Sequence, residues 1–466
     1  MHLTKQLHES YDKTKTLYLS IAYSAIIAGY SIIRPIKTSV FLSFVGVGYV
    51  PTAKIVSFVM APLLMFLYSR LLNATHRHKV ATIFFGIYAA VIALFSVILL
   101  HPGIGLENTV ASPGRILGWL VYLFLDFFNV LVLETFWGFT NSISSPHFAR
   151  EKYSVITAAA RIAGIASPLL ALYIQTQFQP LVSFPIYCIM TSILLTVALV
   201  SLQKITSSVP EEYLAGYSKD HEIHEVDPTK KSSWLDGLKL FFKEPYVLGI
   251  FVLIYSFNFV STFADFQMQI LAAQTFSSIG DISKFMFIYT ALFQVLGFFF
   301  ALVGTNTLLR RFGLPFCLLV SPCITFGLLL VLIKFKSLVV ATVTMIVFRA
   351  LNYGFNVPVR EMLFIPTTET IQFKSKAWIT SFGQTLSESL SSFFNDPNMI
   401  SHIFPRAIGA SPLFGSSMRL LGSARPAVSL FLTAAWFVAA ILLGAKYQDT
   451  ITHGKVIGKR NPKKAL

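Results

Sequence analysis

The chain has 466 residues, of which 55% are hydrophobic and 12% charged, and its 37 Lys and Arg against 21 Asp and Glu give a formal net charge of +16. A soluble protein carries roughly 25% charged residues, so a mean hydropathy of +0.67 excludes an ordinary soluble domain. Apolar runs about 20 residues long recur throughout, as in a polytopic α-helical membrane protein whose backbone groups must be satisfied within helices.

The polar start MHLTKQLHESYDKTKT leads into an apolar run too long for a signal-peptide core, and no small-residue cleavage site ends it. The run is therefore the first predicted span. About twelve spans follow from length and flanks, near 17–40, 50–72, 79–100, 116–140, 153–176, 181–202, 246–273, 283–305, 314–334, 337–358, 377–395 and 426–446. The stretch 396–425, with Pro405, Gly409, Pro412 and Gly415, reads as a loop or interfacial helix. The long polar stretch 203–244 divides the spans six and six, the layout of the major-facilitator architecture. Three regions are thus expected: an N-terminal half 1–202, a charged cytoplasmic loop 203–244, and a C-terminal half 245–466 with a basic tail. Most Lys and Arg fall in alternate loops, which accounts for the positive charge by topology rather than by nucleic-acid binding and puts both termini in the cytoplasm.

An ionisable side chain in hydrocarbon costs at least about 2.5–3.5 kcal/mol on insertion scales, so it usually faces water or a partner. Along the first span Arg34 and Lys37 lie three apart on one face, beside Pro35. They either line a path for an anion or snorkel to headgroups. On the fourth span Glu134, Trp137 and Asn141 fall on one helical stripe, and Asp126 lies about two turns earlier and off it. A carboxylate, an indole and an amide on one face suit a nucleobase or sugar; a polar helix–helix contact is the competing reading.

Arg161, in TAAARIAGIASP, is surrounded by small residues that allow a neighbouring helix to pack closely. Its planar fork suits a phosphate, or a structural pair with Asp126 or Glu134. Asp265 and Glu388, mid-span in the second half, are candidate proton acceptors or counter-ions. Arg349 and Arg360 stand eleven apart and share a face if the helix passes Pro358, with Arg360 at the cytoplasmic mouth. By span order Lys37 corresponds approximately to Asp265, and Arg161 to Glu388.

Cys188, Cys317 and Cys323 lie in apolar segments without metal-ligand spacing to His, so neither a disulfide framework nor a metal site is expected. The HEIHE of the central loop reads as a solvated charge run. There is no P-loop and no H-E-x-x-H, and no nucleophile set collects at one membrane face, so the chain is not expected to be an enzyme or to use a cofactor.

Four stretches resemble a known family. FWGFTNSISSPHFAREKY, from Phe136 to Tyr153, is similar to the Phe-Trp-Gly-Phe-Ala-Asn motif and following loop of the plastid and rickettsial-type ATP/ADP translocases. REMLFIP, from Arg360 to Pro366, resembles that family's Lys-Glu-Met-Ala-Tyr-Ile-Pro. KSKA, from Lys374 to Ala377, resembles its Lys-Gly-Lys-Ala, and RPIKTSVFLSFVG its first-span entry. The resemblance implies twelve spans in an inner membrane, and exchange of ATP for ADP and phosphate or carriage of other nucleotides, some with protons. It maps the family's first-span lysine onto Lys37, its fourth-span acid near Asp126, and its lysine before Glu-Met onto Arg360. The seventh span departs most: where the family has Asn-Leu-Val-Glu-x-x-Trp-Lys, this chain has Asn258 to Asp265 with Ser261 at the glutamate and Asp265 at the cation.

The expectation is therefore a secondary transporter working by alternating access in a bacterial inner membrane. Its substrate is a nucleotide or another phosphorylated anionic small molecule, and its solvent is membrane lipid. Lys37, Arg161 and Arg349 would hold phosphates, Arg360 would sit near the inner mouth, and Trp137 and Asn141 would meet base or sugar. Two alternatives stand: a major-facilitator permease for another anionic solute, possibly proton-coupled, and a membrane-embedded transferase or lipid-handling protein.

Overall fold

The computed structural model describes residues 2–74, 77–144, 146–214, 244–300, 305–368, 371, 375–376, 379, 383–395, 425–453 and 456–458. The expected central loop lies outside these residues from 215 to 243, as do the stretch 396–424 and parts of the expected eleventh span. Among the described residues the chain is helical, and its only β contact is an isolated bridge between Thr367 and Ile457.

The first half runs through α1 (His2–Phe44), α2 (Val50–Ala74), α3 (Arg77–Ile98), α4 (Ile116–Asp126), α5 (Glu134–Ser142), α6 (Pro146–Gln177), α7 (Pro180–Ser208) and the single turn α8 (Glu211–Leu214). The second runs through α9 (Pro245–Thr275), α10 (Ile279–Phe299), α11 (Thr305–Lys334), α12 (Leu338–Leu351), α13 (Val357–Met362), α14 (Gln384–Asn395) and α15 (Arg425–Thr452). Eleven helical stretches among the described residues are long and apolar enough to cross a membrane, with α4–α5 forming one and α12–α13 another. The expected eleventh span is represented by α14. Leu63, Phe66, Leu94, Val97, Leu120 and Val339 stand exposed on these spans, which suits helices solvated by acyl chains rather than water.

Two compact units emerge from the packing. One takes in Met1–Val47, Val59–Lys230 and Phe276–Gln294; the other takes in Gly48–Phe58, Lys231–Thr275 and Val295–Leu466. In the first, α1 packs on α6, α7 and α4, and α3 packs on α7. In the second, α9 packs on α15, α14 and α12. Its core gathers Ile250, Ile254 and Phe257 of α9 with Cys317, Phe355 and Trp436.

Two wide π turns interrupt spans at corresponding places. Asn129–Leu133 joins α4 to α5, and Asn352–Asn356 joins α12 to α13. Each inserts extra backbone into the helical ladder, which re-aims the side chains beyond it, a device common at functional sites. Pro358, in the first turn of α13, follows the second π turn without ending the span.

The end of α1 is fixed by glycine and by one arginine. Gly46, at φ 110°, lets the chain turn out of the helix while its N–H still bonds the carbonyl of Phe41. Arg115 then gathers the following loop. Its guanidinium lies 3.5 Å from the Phe44 ring centroid and donates to the carbonyls of Ile104, Gly105 and Asn108 at 3.1, 2.7 and 2.8 Å. Arg115→Ala is expected to cost about 1–3 kcal/mol through these lost partners. The check is a lower midpoint of thermal unfolding in detergent, together with new protease cleavage between 101 and 115.

Candidate functional site

Pairs that are distant in sequence but close in the first unit define a polar track. Lys37 Nζ lies 2.7 Å from Asp126 Oδ1, with side chains only 13% and 15% exposed. The ammonium also stands 4.7 Å from the centroid of the Tyr122 ring. Lys37 thus meets the carboxylate of the fourth span rather than ending free at headgroup level.

Next along α1, the Tyr30 hydroxyl accepts from Asn129 Nδ2 at 3.0 Å. Arg34 sits 5.9 Å from the centroids of both Tyr30 and Phe293. Gln294, beside Phe293, donates to Ser31 Oγ at 3.3 Å and accepts from Arg161 Nη1 at 3.5 Å. Arg34 and Arg161 therefore converge on two consecutive residues of α10. The close approach that the small residues around Arg161 predict is present: a Cβ on Gly164 would lie 2.7 Å from Gln294 Nε2 and 3.0 Å from Ile27 Cγ2.

Further down the track, aromatic rings gather around Trp137. Tyr23, Phe136 and Tyr153 stand edge-on to it, with centroids 5.1, 5.4 and 5.3 Å away. Tyr153 donates its hydroxyl to Asn141 Oδ1 at 2.7 Å. Asn129, Glu134 and Asn141 are exposed and Trp137 is half-buried. Exposed polar groups within a span face water or a pathway rather than lipid.

The second unit holds the remaining candidates. Asp265 accepts from Gln269 Nε2 at 2.9 Å, one turn along its own helix. Glu388 pairs with Lys54 Nζ at 3.2 Å and accepts from Gln384 Nε2 at 3.1 Å. Arg349 lies in the last turn of α12, just before the π turn. Arg360 lines a cavity of about 30 Å³ with Phe257, Cys317, Asn356 and Trp436, roughly the room of one water. Neighbouring Glu361 is paired with Lys376. Arg360 is therefore part of the wall of a small, partly open cavity within this unit. No cluster of His, Cys, Asp or Glu among the described residues could hold a metal ion.

Sequence reasoning passed over Lys54, Gln294, Tyr23 and Tyr153. Lys54 carried a signal, as a cation five residues into the second helix. Gln294, as a lone amide in ALFQVLG, carried a fainter one. Nothing in the sequence sets the two tyrosines apart from the other sixteen.

Residues 118–447 match the family model described as the TLC ATP/ADP transporter. The chain is 21% identical over 457 residues to ADP,ATP carrier protein 3 of Rickettsia bellii, an alignment covering 84% of this chain and 87% of that one. Among solved structures it resembles a mutant of the nucleoside transporter NupG, with a TM-score of 0.57 at 14% identity, covering 91% of this chain and 100% of that one. It also resembles a bacterial homologue of the iron transporter ferroportin in an inward-facing state, with a TM-score of 0.56 at 14% identity, covering 94% and 98%. These structural likenesses establish the fold, a major-facilitator-like helical membrane architecture.

Removing one member of the Lys37–Asp126 pair takes the counter-ion from a mostly buried charge, on the order of 3–5 kcal/mol where a pair is fully buried. Lys37→Ala and Asp126→Ala should each lower the thermal midpoint of the detergent-solubilised protein, and the double variant should recover part of that loss. Losses that simply add in the double variant would show that the two charges act independently.

Proposed function

The chain belongs to the TLC ATP/ADP transporter family, and we propose that it moves nucleotides across a bacterial inner membrane by alternating access between the halves 1–202 and 245–466, with both termini cytoplasmic. The chain is a transporter and not an enzyme, and its substrate is of nucleotide type. The observation that carries the reading furthest is the Lys37–Asp126 pair inside the first unit. An ammonium held by a carboxylate within a span is a cation in reserve. An incoming phosphate competes with Asp126 for it, and Asp126 takes it back when the phosphate leaves. The membrane then never faces a bare ammonium, whether or not the carrier is loaded.

Arg34 and Arg161 supply the further positive charge that a polyphosphate requires, and their planar forks suit its oxygens. Arg349 and Arg360 serve the second half, Arg360 from within its own helices near the cytoplasmic end. Glu388 is a counter-ion for Lys54, and the pair lies on helices from opposite halves of the sequence.

A second reading is favoured by one feature, the seventh span. Ser261 and Asp265 stand where family members carry a glutamate and a cation, which suits a proton-coupled permease for another anionic solute. Asp265, bonded to an amide rather than an ammonium, is the group that would bind the proton.

Uptake of radiolabelled ATP, ADP, GTP and NAD into cells expressing the chain separates the readings. Exchange predicts uptake that internal unlabelled nucleotide accelerates and that an uncoupler leaves intact. Proton coupling predicts uptake that the uncoupler collapses and that Asp265→Asn abolishes. If the protein is in the membrane and no nucleotide enters, the nucleotide reading fails.

A further inference from the structure

We infer that the first unit holds its nucleotide in one fixed polarity, with an adenine base against Trp137 and Asn141 and the phosphates against Arg34, Arg161 and Lys37. This deepens the nucleotide reading above and rests on it.

The argument is the order of chemistry along one span. From Asn141 back to Asp126 the side chains run amide, indole, carboxylate, amide, carboxylate: Asn141, Trp137, Glu134, Asn129, Asp126. A nucleotide runs base, ribose, phosphates. The aromatic group lies at one end of this sequence and the cations at the other, and the contacts with α1 preserve that order. Trp137 meets Tyr23, Asn129 meets Tyr30 below Arg34, and Asp126 meets Lys37. Trp137 and Asp126 are eleven residues apart, as are Tyr23 and Arg34, about 16 Å along a helix at 1.5 Å per residue. Tyr153 and Arg161 are eight apart, about 12 Å on the same rise. Along α1 and α6 a ring and a cation, and along the fourth span the indole and the acid that pairs with Lys37, are thus set about 12–16 Å apart, a length that a nucleoside with its polyphosphate can span.

Both ends carry specific chemistry. Three rings standing edge-on fix the plane of the indole, which keeps part of its surface exposed, and an indole face is a stacking platform for any base. Asn141 adds selection. Its oxygen takes the Tyr153 hydroxyl through one lone pair, leaving the second lone pair and the amide hydrogens. An asparagine amide can pair with the N6 and N7 edge of adenine, where guanine offers acceptors alone. Glu134, between the rings and the arginines, is placed to accept from ribose hydroxyls.

The test is binding of ATP, GTP and inorganic tripolyphosphate to the purified full-length protein in nanodiscs. Tripolyphosphate has the phosphates and no base. Trp137→Ala is expected to weaken ATP about ten- to a hundredfold, the usual worth of one stacked base, and to leave tripolyphosphate unchanged. Trp137→Phe keeps a ring and should retain most of the ATP affinity. Tyr153→Phe, which drops only the hydroxyl that orients Asn141, should narrow the preference for ATP over GTP without affecting tripolyphosphate. Lys37→Ala should weaken both ATP and tripolyphosphate. If Trp137→Ala weakens ATP and tripolyphosphate alike, or neither, the base lies elsewhere and the polarity is wrong even though nucleotides bind. If wild-type protein binds neither ligand, the nucleotide reading itself fails, and this inference with it.

Discussion

The contact between Lys37 and Asp126 is the constraint from which the rest of the first unit follows. An ammonium cannot be left alone in a span, and a carboxylate cannot either. Placed on α1 and α4, they oblige those helices to lie side by side in one register. The Tyr30–Asn129 bond and the Tyr23–Trp137 contact then follow along the same pair of spans. The pair need not make the protein more stable than an apolar pair would, because burying two ions offsets most of their attraction. On the proposed function its value is that the contact can be exchanged: a ligand phosphate could take the place of Asp126, which a methyl–methyl contact would not permit.

Small residues make the rest of the arrangement possible. Gly164 allows α6 to approach Ile27 of α1 and Gln294 of α10 at distances where a Cβ would push those side chains aside. Gly29 likewise stands against Thr191 of α7, where a Cβ would lie 3.3 Å from Cγ2. Close backbone approach substitutes for the hydrophobic driving force that lipid does not supply. It also brings Arg161 within reach of Gln294. An amide contact helps to hold a guanidinium in one orientation.

The fold was legible in the sequence because the lipid constraint is severe. Twenty apolar residues admit little besides a spanning helix, and the span list agrees closely with the helices described. The stranded charges on the first and fourth spans were legible as candidates for the same reason, but their pairing was not. Helical periodicity put Asp126 off the stripe of Glu134 and Trp137, and the π turn at Asn129–Leu133, which no residue pattern announces, alters that register. Arg161 was weighed between a phosphate and a carboxylate, and its contact with the amide Gln294 was not foreseen. Uncharged partners of this kind leave almost no mark in a hydrophobic run. Tyr23 and Tyr153 were hidden differently: in a chain with 44 Phe and 18 Tyr, composition cannot distinguish a binding aromatic from a packing one.

The two halves repeat a backbone device while reversing its charge. Asp126 stands three residues before the π turn that begins at Asn129, and Arg349 stands three residues before the one that begins at Asn352. Each fourth span thus carries an ionisable group, then an asparagine opening a wide turn. The first half has a cation on its opening span and an acid on its fourth. The second half has Asp265 on its opening span and Arg349 on its fourth. In the first half the two charges meet; in the second, Asp265 bonds Gln269 on its own helix. Reversing the charges on a repeated backbone device changes what each half can hold in its spans: the first half neutralises its cation across two helices, whereas the second settles its acid on a neutral amide of the same helix.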